Sequence, residues 1–288
     1  MARIWPEALV REFAERRAVL FLGAGFSIAT AHADGKTFPS WTDLLFSLSE
    51  KLPKKVEQDA VRKLLKFQNY LDAAQIIWDE VPVADLRQKL VDTFSLKLSS
   101  PQDLYRHIIE IDPQVILTTN YDKLIETALA GLSKNADAYN VCLYNQGHAL
   151  DDIRSPQRSI LKVHGCVTQP DDIILTRLQY FEARRKYPAY FQTVSAVLTI
   201  NTTLFLGYSL SDPDIQLILE FNNLSTPSRN PHYALVQKLP HSSVRSALAK
   251  TYNIHFIEYP VGDHSKMALF FSELSANVVE FRRTRGIP

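Results

Sequence analysis

The chain has 288 residues, 46% apolar and 22% charged, which is the composition of a folded protein and excludes an intrinsically disordered one. Its 32 basic and 31 acidic residues give a net charge of +1, so charge alone offers no case for nucleic-acid or membrane binding. The two cysteines, Cys142 and Cys166, exclude a disulfide framework and a four-cysteine zinc ribbon. With no signal peptide and no apolar run near ~20 residues, we expect a cytoplasmic protein.

In chain order, a helix is predicted over residues 6–17, and a strand over Ala18–Leu22 that stops at a glycine-rich turn. Five helices with no strand between them follow, at residues 41–51, 56–67, 70–79, 83–95 and 101–111. Later strands are predicted at residues 114–117, 159–163, 204–207, 232–236 and 254–258, and helices at 122–129, from 211 onward, and at the C-terminus. The short basic clusters at 184–186 and 282–285 are interpreted as a solvated helix face or tail.

Several of these strands are almost wholly apolar, as in parallel sheets that are covered on both faces. Strands that alternate with helices predict an α/β fold, namely a Rossmann-like, doubly wound, mainly parallel sheet. The run of helices breaks this alternation and predicts an inserted helical module. We therefore expect one domain over 1–288, with a Rossmann core at 1–39 and 112–288 and the insertion at about 40–111.

Four polar segments stand at the predicted strand ends: GAGFS at 23–27, TTNYD at 118–122, KVHG at 162–165 and LGYS at 206–209. In open α/β sheets the ligand crevice lies outside the carboxyl ends of the strands, near the point where the strand order reverses. A glycine turn can bring the backbone close to a pyrophosphate at that edge. The four segments together predict a dinucleotide cleft.

This ordered set resembles the sirtuin superfamily. The four-cysteine zinc module and the acidic-Phe-Arg segment of its protein deacylases are absent, so the chain is most similar to the bacterial antiphage-defence branch that hydrolyses NAD. The resemblance implies a Rossmann-type core that takes NAD as its substrate, cleaves the nicotinamide–ribose bond and carries no zinc.

The resemblance also implies a role for each matching residue. Asn120 and His164 are the expected catalytic residues, because an amide can bind ribose hydroxyls or a water and an imidazole can accept a proton near neutral pH. The expected NAD-binding residues are Gly23, Ala24, Gly25 and Ser27 at the phosphates, Thr118 and Asp122 at the nicotinamide ribose and carboxamide, and Gly207 and Ser209 at the adenosine half.

Each assignment has a structural alternative. The glycines can form a tight turn without a ligand, Asn120 and Asp122 can cap a helix, and His164 can be a hydrogen-bonded core residue. The remaining histidines suggest no metal-spaced cluster. For the whole protein, the alternatives are a structural subunit of a defence complex that binds NAD or ADP-ribose, and an NAD-dependent protein deacylase or ADP-ribosyltransferase.

An enzyme that depletes NAD needs control, and the resemblance implies control by assembly. We expect a homo-oligomer, with a HerA-like hexameric DNA-translocating ATPase or a short Argonaute as a possible partner. Direct contact with nucleic acid or with a membrane is not expected.

Overall fold

The computed structural model describes residues 4–30, 37–95, 103–132, 139–210, 212–263 and 265–288. Its strands are β1 (Ala18–Leu22), β2 (Val115–Thr118), β3 (Tyr139–Leu143), β4 (Arg158–Lys162), β5 (Thr202–Leu206), β6 (His232–Gln237) and β7 (Ile254–Tyr259). They form one seven-stranded sheet in the order β3-β4-β2-β1-β5-β6-β7. All six neighbouring pairs are parallel, so the predicted Rossmann-like α/β fold is confirmed.

Helices precede, connect and follow the strands. In chain order they are α1 (Glu7–Ala14), α2 (Ala24–Ile28), α3 (Trp41–Ser49), α4 (Lys55–Lys66), α5 (Tyr70–Glu80), α6 (Val83–Phe94), α7 (Asp103–Ile111), α8 (Leu124–Leu132), α9 (Ala149–Arg154), α10 (Arg177–Lys186), α11 (Pro188–Ile200), α12 (Pro213–Ser225), α13 (Ser242–Tyr252) and α14 (Ser265–Arg285).

The central strands are buried on both faces. In β1, Leu20 and Leu22 belong to one hydrophobic cluster, which also contains residues of α1, α7, α8 and α14. Val19 and Phe21 point the other way, into a second cluster with residues of α9 to α13. Because successive side chains of a strand face opposite sides, a strand covered on both sides has to be apolar throughout.

The six strands predicted from the sequence are all present, with ends within two residues of the prediction. Strand β3 was not predicted. It is an edge strand that pairs only with β4, and just its last two residues, Cys142 and Leu143, are buried. A half-exposed edge strand lacks the continuous apolar run that identifies the central ones.

The five consecutive helices predicted after the first strand are α3 to α7, although residues 101 and 102 at the start of the last one lie outside the described residues. Helices α3, α4 and α5 pack on one another, and α5 also contacts α10. Helix α7 packs on α14 and α8 beside the sheet. The exact division into core and insertion remains a prediction.

The interpretation of the C-terminal basic cluster as solvated is wrong for Arg282. Arg282 is only 9% exposed, and its guanidinium donates hydrogen bonds to the carbonyl oxygens of Phe13, Ala14, Glu110 and Ile111. These carbonyls lie at the C-terminal ends of α1 and α7, where a helix leaves its last carbonyl oxygens without partners in the next turn. The Phe13 carbonyl also accepts from the Arg16 N–H at 3.1 Å. One side chain of α14 therefore joins the ends of two other helices.

Within the described ranges, none of the helices combines the length and the apolar character needed to span a membrane.

Candidate functional site at the carboxyl edge of the sheet

The strand order reverses between β1 and β5, because the chain moves from β1 towards β2 on one side and reaches β5 on the other. The register aligns Leu22 with Thr118 and with Leu206. The segments that follow β1, β2 and β5 therefore leave the sheet at the same level. This edge is where open α/β sheets bind their ligands.

The two glycine turns at this edge are packed against each other. The Gly23 N–H donates to the Leu206 carbonyl at 3.0 Å, and the Gly25 N–H donates to the Gly207 carbonyl at 2.8 Å. Gly207 has a φ of +63°, and a Cβ there would lie 2.2 Å from the Phe26 nitrogen. Close backbone approach thus explains these glycines before any ligand is considered.

This contact uses one of the backbone N–H groups that a phosphate at the start of α2 would need. Helix α2 is a short helix of five residues that begins at an exposed Ala24, and one of its early N–H groups, that of Gly25, already bonds to Gly207. The assignment of Gly23, Ala24 and Gly25 to the phosphates remains a prediction.

Asn120 lies at the centre of a buried hydrogen-bond network and is 6% exposed. Its Nδ2 donates to the Gly23 carbonyl and to Ser27 Oγ, both at 3.0 Å. Ser27 Oγ in turn donates to Asp122 Oδ2 at 2.9 Å. Both amide hydrogens of Asn120 are therefore used within the protein, and Oδ1 is the atom that this side chain can offer to a ribose hydroxyl or a water.

Thr118 and Asp122 fix the backbone around Asn120. Thr118 Oγ1 donates to the Leu22 carbonyl at 2.8 Å and accepts from the Asn120 N–H at 3.1 Å, which ties the end of β2 to the end of β1. Asp122 Oδ1 accepts from the Leu124 N–H at 2.9 Å, the contact of a helix cap at the start of α8. Asp122 therefore caps helix α8, which is the structural role considered for it above. Its direct contact with NAD remains a prediction.

A small cavity opens beside this network. It is lined by Ala24, Ser27, Asn120 and Asp122 from the predicted site, and by Thr119, Tyr121, Phe94 and the segment that runs from Phe38 to Leu44. Trp41 and Leu44 of α3 belong to that wall, so the helices after the glycine turn border the cavity. The lining thus combines polar side chains of the predicted site with aromatic side chains.

His164 lies two residues after β4 and is 2% exposed. Its Nε2 is 3.3 Å from Asp212 Oδ2, and its Nδ1 is 3.4 Å from the Tyr180 hydroxyl, which donates to Asp212 at 2.9 Å. Burial lowers the pKa of His164 below its ordinary value; the Asp212 carboxylate opposes this, and Arg184 adds to it. The structure places His164 at the same sheet edge as Asn120, but not among the residues that line the cavity.

Glycine follows His164 for a local reason. Gly165 has a φ of +85°, and a Cβ there would lie 2.5 Å from the Asp172 carbonyl oxygen. The loop returns at once, since the Ile174 N–H donates to the His164 carbonyl at 3.0 Å.

At the fourth predicted segment, Ser209 is exposed and lies next to the buried Tyr208, so its contact with the adenosine half also remains a prediction.

Lys162, the first residue of the KVHG segment, is not among the site residues expected from the sequence. Lys162 is fully buried, and its Nζ donates to the Asp122 carbonyl and to Glu126 Oε1, the latter at 3.0 Å. Burial alone would lower the pKa of Lys162, but Glu126 and other groups nearby raise it above its ordinary value. A lysine at the end of an otherwise apolar strand is the signal that could have identified it, because a buried charge needs a partner.

One group of possible metal ligands was also missed. Cys142, His148 and Asp152 offer ligand atoms within 4.8 Å of one another. His148 and Asp152 are already in contact, with Nδ1 and Oδ2 2.6 Å apart. Sulfur, imidazole and carboxylate are ligands that zinc accepts, so these residues could hold a metal, and the expectation that the chain carries no zinc remains a prediction.

Comparison with known proteins agrees with the resemblance found in the sequence. The NAD(+) hydrolase ThsA of Acinetobacter baumannii is 23% identical over 269 residues, which cover 93% of this chain and 52% of the relative. ThsA of Cytobacillus dafuensis is 27% identical over 240 residues, 81% of this chain and 44% of the relative. The Defense-associated sirtuin 2 of Bacillus subtilis is 26% identical over 214 residues, 71% of this chain and 19% of that protein.

The chain thus spans about half the length, or less, of the curated relatives that it matches. The profile of the SIR2-like domain matches residues 114–257, which is half of the chain and includes both Asn120 and His164. This chain belongs to the SIR2-like domain family.

Proposed function

We propose that the protein is an NAD+ hydrolase that cleaves the nicotinamide–ribose bond to give nicotinamide and ADP-ribose. The observation that carries the proposal is the position of Asn120, which borders a cavity at the point where the strand order reverses. Its amide is held there by Gly23 and Ser27. The names of the ThsA relatives support the same activity.

The chemistry suits these side chains. Loss of nicotinamide from NAD passes through an oxocarbenium-like transition state, as glycoside cleavage does. Asn120 Oδ1 would orient the ribose or the attacking water, because its amide cannot rotate without breaking two hydrogen bonds. His164 would accept a proton from a ribose hydroxyl or a water, and a lowered pKa keeps its imidazole neutral at physiological pH.

The biological setting that we propose is antiphage defence, in which depletion of NAD stops the growth of an infected cell. The name of the Bacillus subtilis relative supports a defence role. We further propose that assembly of the chain, or a separate ATPase or Argonaute partner, controls the activity. NAD consumption that rises more steeply than protein concentration would support self-assembly.

The test is NAD consumption by the purified protein without any acylated peptide, with the products separated by chromatography. Wild type should release nicotinamide, and Asn120→Ala and His164→Ala should each lower the rate by at least about 100-fold. Asn223→Ala and His255→Ala, which change the same residue types away from the site, should retain activity. ADP-ribose as the product indicates hydrolysis, and a cyclic product indicates cyclisation.

Two results would contradict the hydrolase. If wild type binds NAD and never cleaves it, the chain is better explained as the structural subunit considered above. If cleavage begins only when an acylated peptide is added, the chain is a deacylase.

A further inference from the structure

Three side chains with metal-binding chemistry meet where the edge strand β3 turns into α9. Cys142 belongs to β3, His148 directly precedes α9, and Asp152 lies within it. The turn between the two elements is closed by Gln146, whose N–H donates to the Leu143 carbonyl at 3.0 Å and whose Oε1 accepts from the Leu143 N–H at 2.9 Å. This turn brings the start of α9 next to the end of β3.

The spacing along the chain places two of the ligands on one face of the helix. His148 and Asp152 are four residues apart, which is one turn of helix, and His148 Nδ1 is 2.6 Å from Asp152 Oδ2. The Cys142 sulfur completes the group, with one ligand atom from each residue within 4.8 Å of the others. In the part of the chain that the structure describes, no second group of three such ligands is present.

The distances suit a small ion after a modest adjustment. Zinc bonds of about 2.0–2.3 Å set two ligand atoms of a tetrahedral site roughly 3.3–3.8 Å apart. The imidazole and carboxylate atoms are closer than this, and no pair is wider than 4.8 Å, so movements of about 1 Å complete the geometry. The side chain of His148 is 51% exposed and can turn without disturbing the core.

The three ligand types also indicate which metal fits. Calcium and magnesium take oxygen ligands, whereas a thiolate with an imidazole and a carboxylate is a donor set for zinc. Binding requires the Cys142 thiol to release its proton to solvent. The imidazole of His148 binds through a lone pair and keeps its hydrogen on the other ring nitrogen.

A buried hydroxyl without a partner lies near this group. Tyr190 of α11 is 4% exposed, and its hydroxyl has no hydrogen-bond partner among the described residues. Burial raises the pKa of Tyr190 and the Cys142 thiol adds to the effect, so the two groups are close enough to interact. Both belong to the same hydrophobic cluster. Because buried polar groups are normally satisfied, this hydroxyl needs an acceptor, and a metal-bound thiolate or water would supply one.

We propose that Cys142, His148 and Asp152 bind one zinc ion, which holds α9 against the end of β3 and has a fourth position for water. The buried sulfur anchors the ion on the core side, and the exposed imidazole gives it access to solvent. None of the three residues lines the cavity beside Asn120, so the site is separate from the proposed NAD site. A zinc ion here would contradict the expectation of a chain without zinc.

The chain offers a matched pair that lacks the sulfur. His107 and Glu110 lie three residues apart on α7, with Nδ1 and Oε2 2.8 Å apart. No third ligand joins them among the described residues. If a histidine and a carboxylate were sufficient, this pair would bind the ion as well.

The first measurement is a Zn²⁺ titration of the full chain, stripped of metal beforehand, in competition with a chromophoric chelator. Wild type should bind one ion per chain. Cys142→Ala and His148→Ala should each weaken binding at least about 100-fold, the upper end of what loss of an outer-shell partner costs, and Tyr190→Phe about tenfold. Cys166→Ala and His107→Ala should leave the affinity unchanged.

The second measurement replaces zinc with Co²⁺, whose absorption spectrum reports the ligands. Wild type should show a thiolate-to-cobalt charge-transfer band and the strong visible bands of four-coordinate cobalt. The charge-transfer band should be absent in Cys142→Ala and present in Cys166→Ala. Zn²⁺ should also raise the thermal unfolding temperature of wild type but not that of His148→Ala, because an ion that binds only the folded state stabilises it.

The buried position of Cys142 is part of the core, so His148→Ala, at an exposed position, decides if Cys142→Ala fails to fold. If wild type and His148→Ala bind Zn²⁺ equally, or if the cobalt complex of wild type lacks the thiolate band, the group is a core cysteine beside a histidine–carboxylate pair and the inference is overturned. Nicotinamide release is measured separately, so neither result decides the proposed hydrolase activity.

Discussion

Gly207 illustrates how a single residue can be fixed by packing at a functional edge. Its φ of +63° is in the left-handed region, and a Cβ would lie 2.2 Å from the backbone nitrogen of Phe26. The atoms that the Cβ would meet are backbone atoms of Gly25 and Phe26, not the end of a flexible side chain. An added methyl group can therefore be accommodated only if the turn after β1 or the turn after β5 moves. Either movement would disturb the hydrogen bonds that join the two turns, from the Gly23 N–H to the Leu206 carbonyl and from the Gly25 N–H to the Gly207 carbonyl.

We expect Gly207→Ala to lower the free energy of unfolding by at least about 3 kcal/mol, from left-handed strain together with the clash. The control is Gly262→Ala, where φ is +82° but no atom lies within 4 Å of the added Cβ. That variant should lose only the backbone cost of about 1–2 kcal/mol. Urea unfolding of both variants measures the difference, and equal losses would show that the two turns adjust freely.

Some site residues can be predicted from the sequence because polar segments follow several of the predicted strands. The strand ends identified Asn120, and the structure brings it together with Ser27, Thr118 and Asp122 in one network. The contact between Asp212 and His164 could not be predicted from the sequence. That contact depends on where α12 begins relative to β4, and no spacing in a single sequence fixes the distance between them.

At the scale of elements, Arg282 joins three helices. Its guanidinium on α14 bonds to the last carbonyls of α1 and α7, and these two helices also pack against α14. Burial lowers the pKa of Arg282, and Arg16 adds to the lowering, so the charge is held at a cost that the carbonyl contacts offset.

Arg282→Met should therefore lower the free energy of unfolding by about 3 kcal/mol or more, since it leaves carbonyl oxygens without a donor. Arg283→Met removes an adjacent arginine that pairs on the surface with Glu280, and should lower the free energy of unfolding far less, because solvent screens an exposed ion pair. Thermal unfolding of the two variants under one set of conditions provides the comparison. A loss of similar size in both would mean that the carbonyls of α1 and α7 are satisfied by solvent.

The elements themselves were largely predictable because burial leaves a periodic pattern. The central strands β1 and β2 are buried throughout, and helices α3 to α7 each bury one set of apolar residues with no strand between them. Strand β3 and the buried position of Arg282 were not predictable. One is an edge strand with a mixed pattern, and the other lies in a run of basic residues whose members face different sides of α14.

At the scale of the whole molecule, the sequence predicts the class of sheet, but the order of strands is a property of the folded chain. That order matters because it places the reversal between β1 and β5 and so decides which strand ends share the cleft. The curated relatives extend well beyond the length matched here.

Stability against acid is a further property of the whole molecule, and His232 should contribute to it. The ring lies at the start of β6, its Nδ1 accepts from the Thr203 N–H at 3.1 Å, and desolvation lowers its pKa to about 4. The unfolded chain has the ordinary value of 6.5 and so binds this proton more readily. Between pH 6.5 and 4 the unfolded state gains the proton first, and the contribution to stability falls as the pH falls.

Across that range the loss due to His232 should approach about 3 kcal/mol. His232→Asn keeps an acceptor for the Thr203 N–H and removes the titrating group, so the variant should lose less stability than wild type between pH 7 and pH 4.5. His241→Asn is the matched control, because His241 Nδ1 also accepts a backbone N–H, that of Ser243, from an exposed position. Urea unfolding at both pH values measures the slopes. If His232→Asn and wild type lose stability in parallel, acid sensitivity arises from carboxylates elsewhere, and the partly buried imidazole at the start of β6 does not control it.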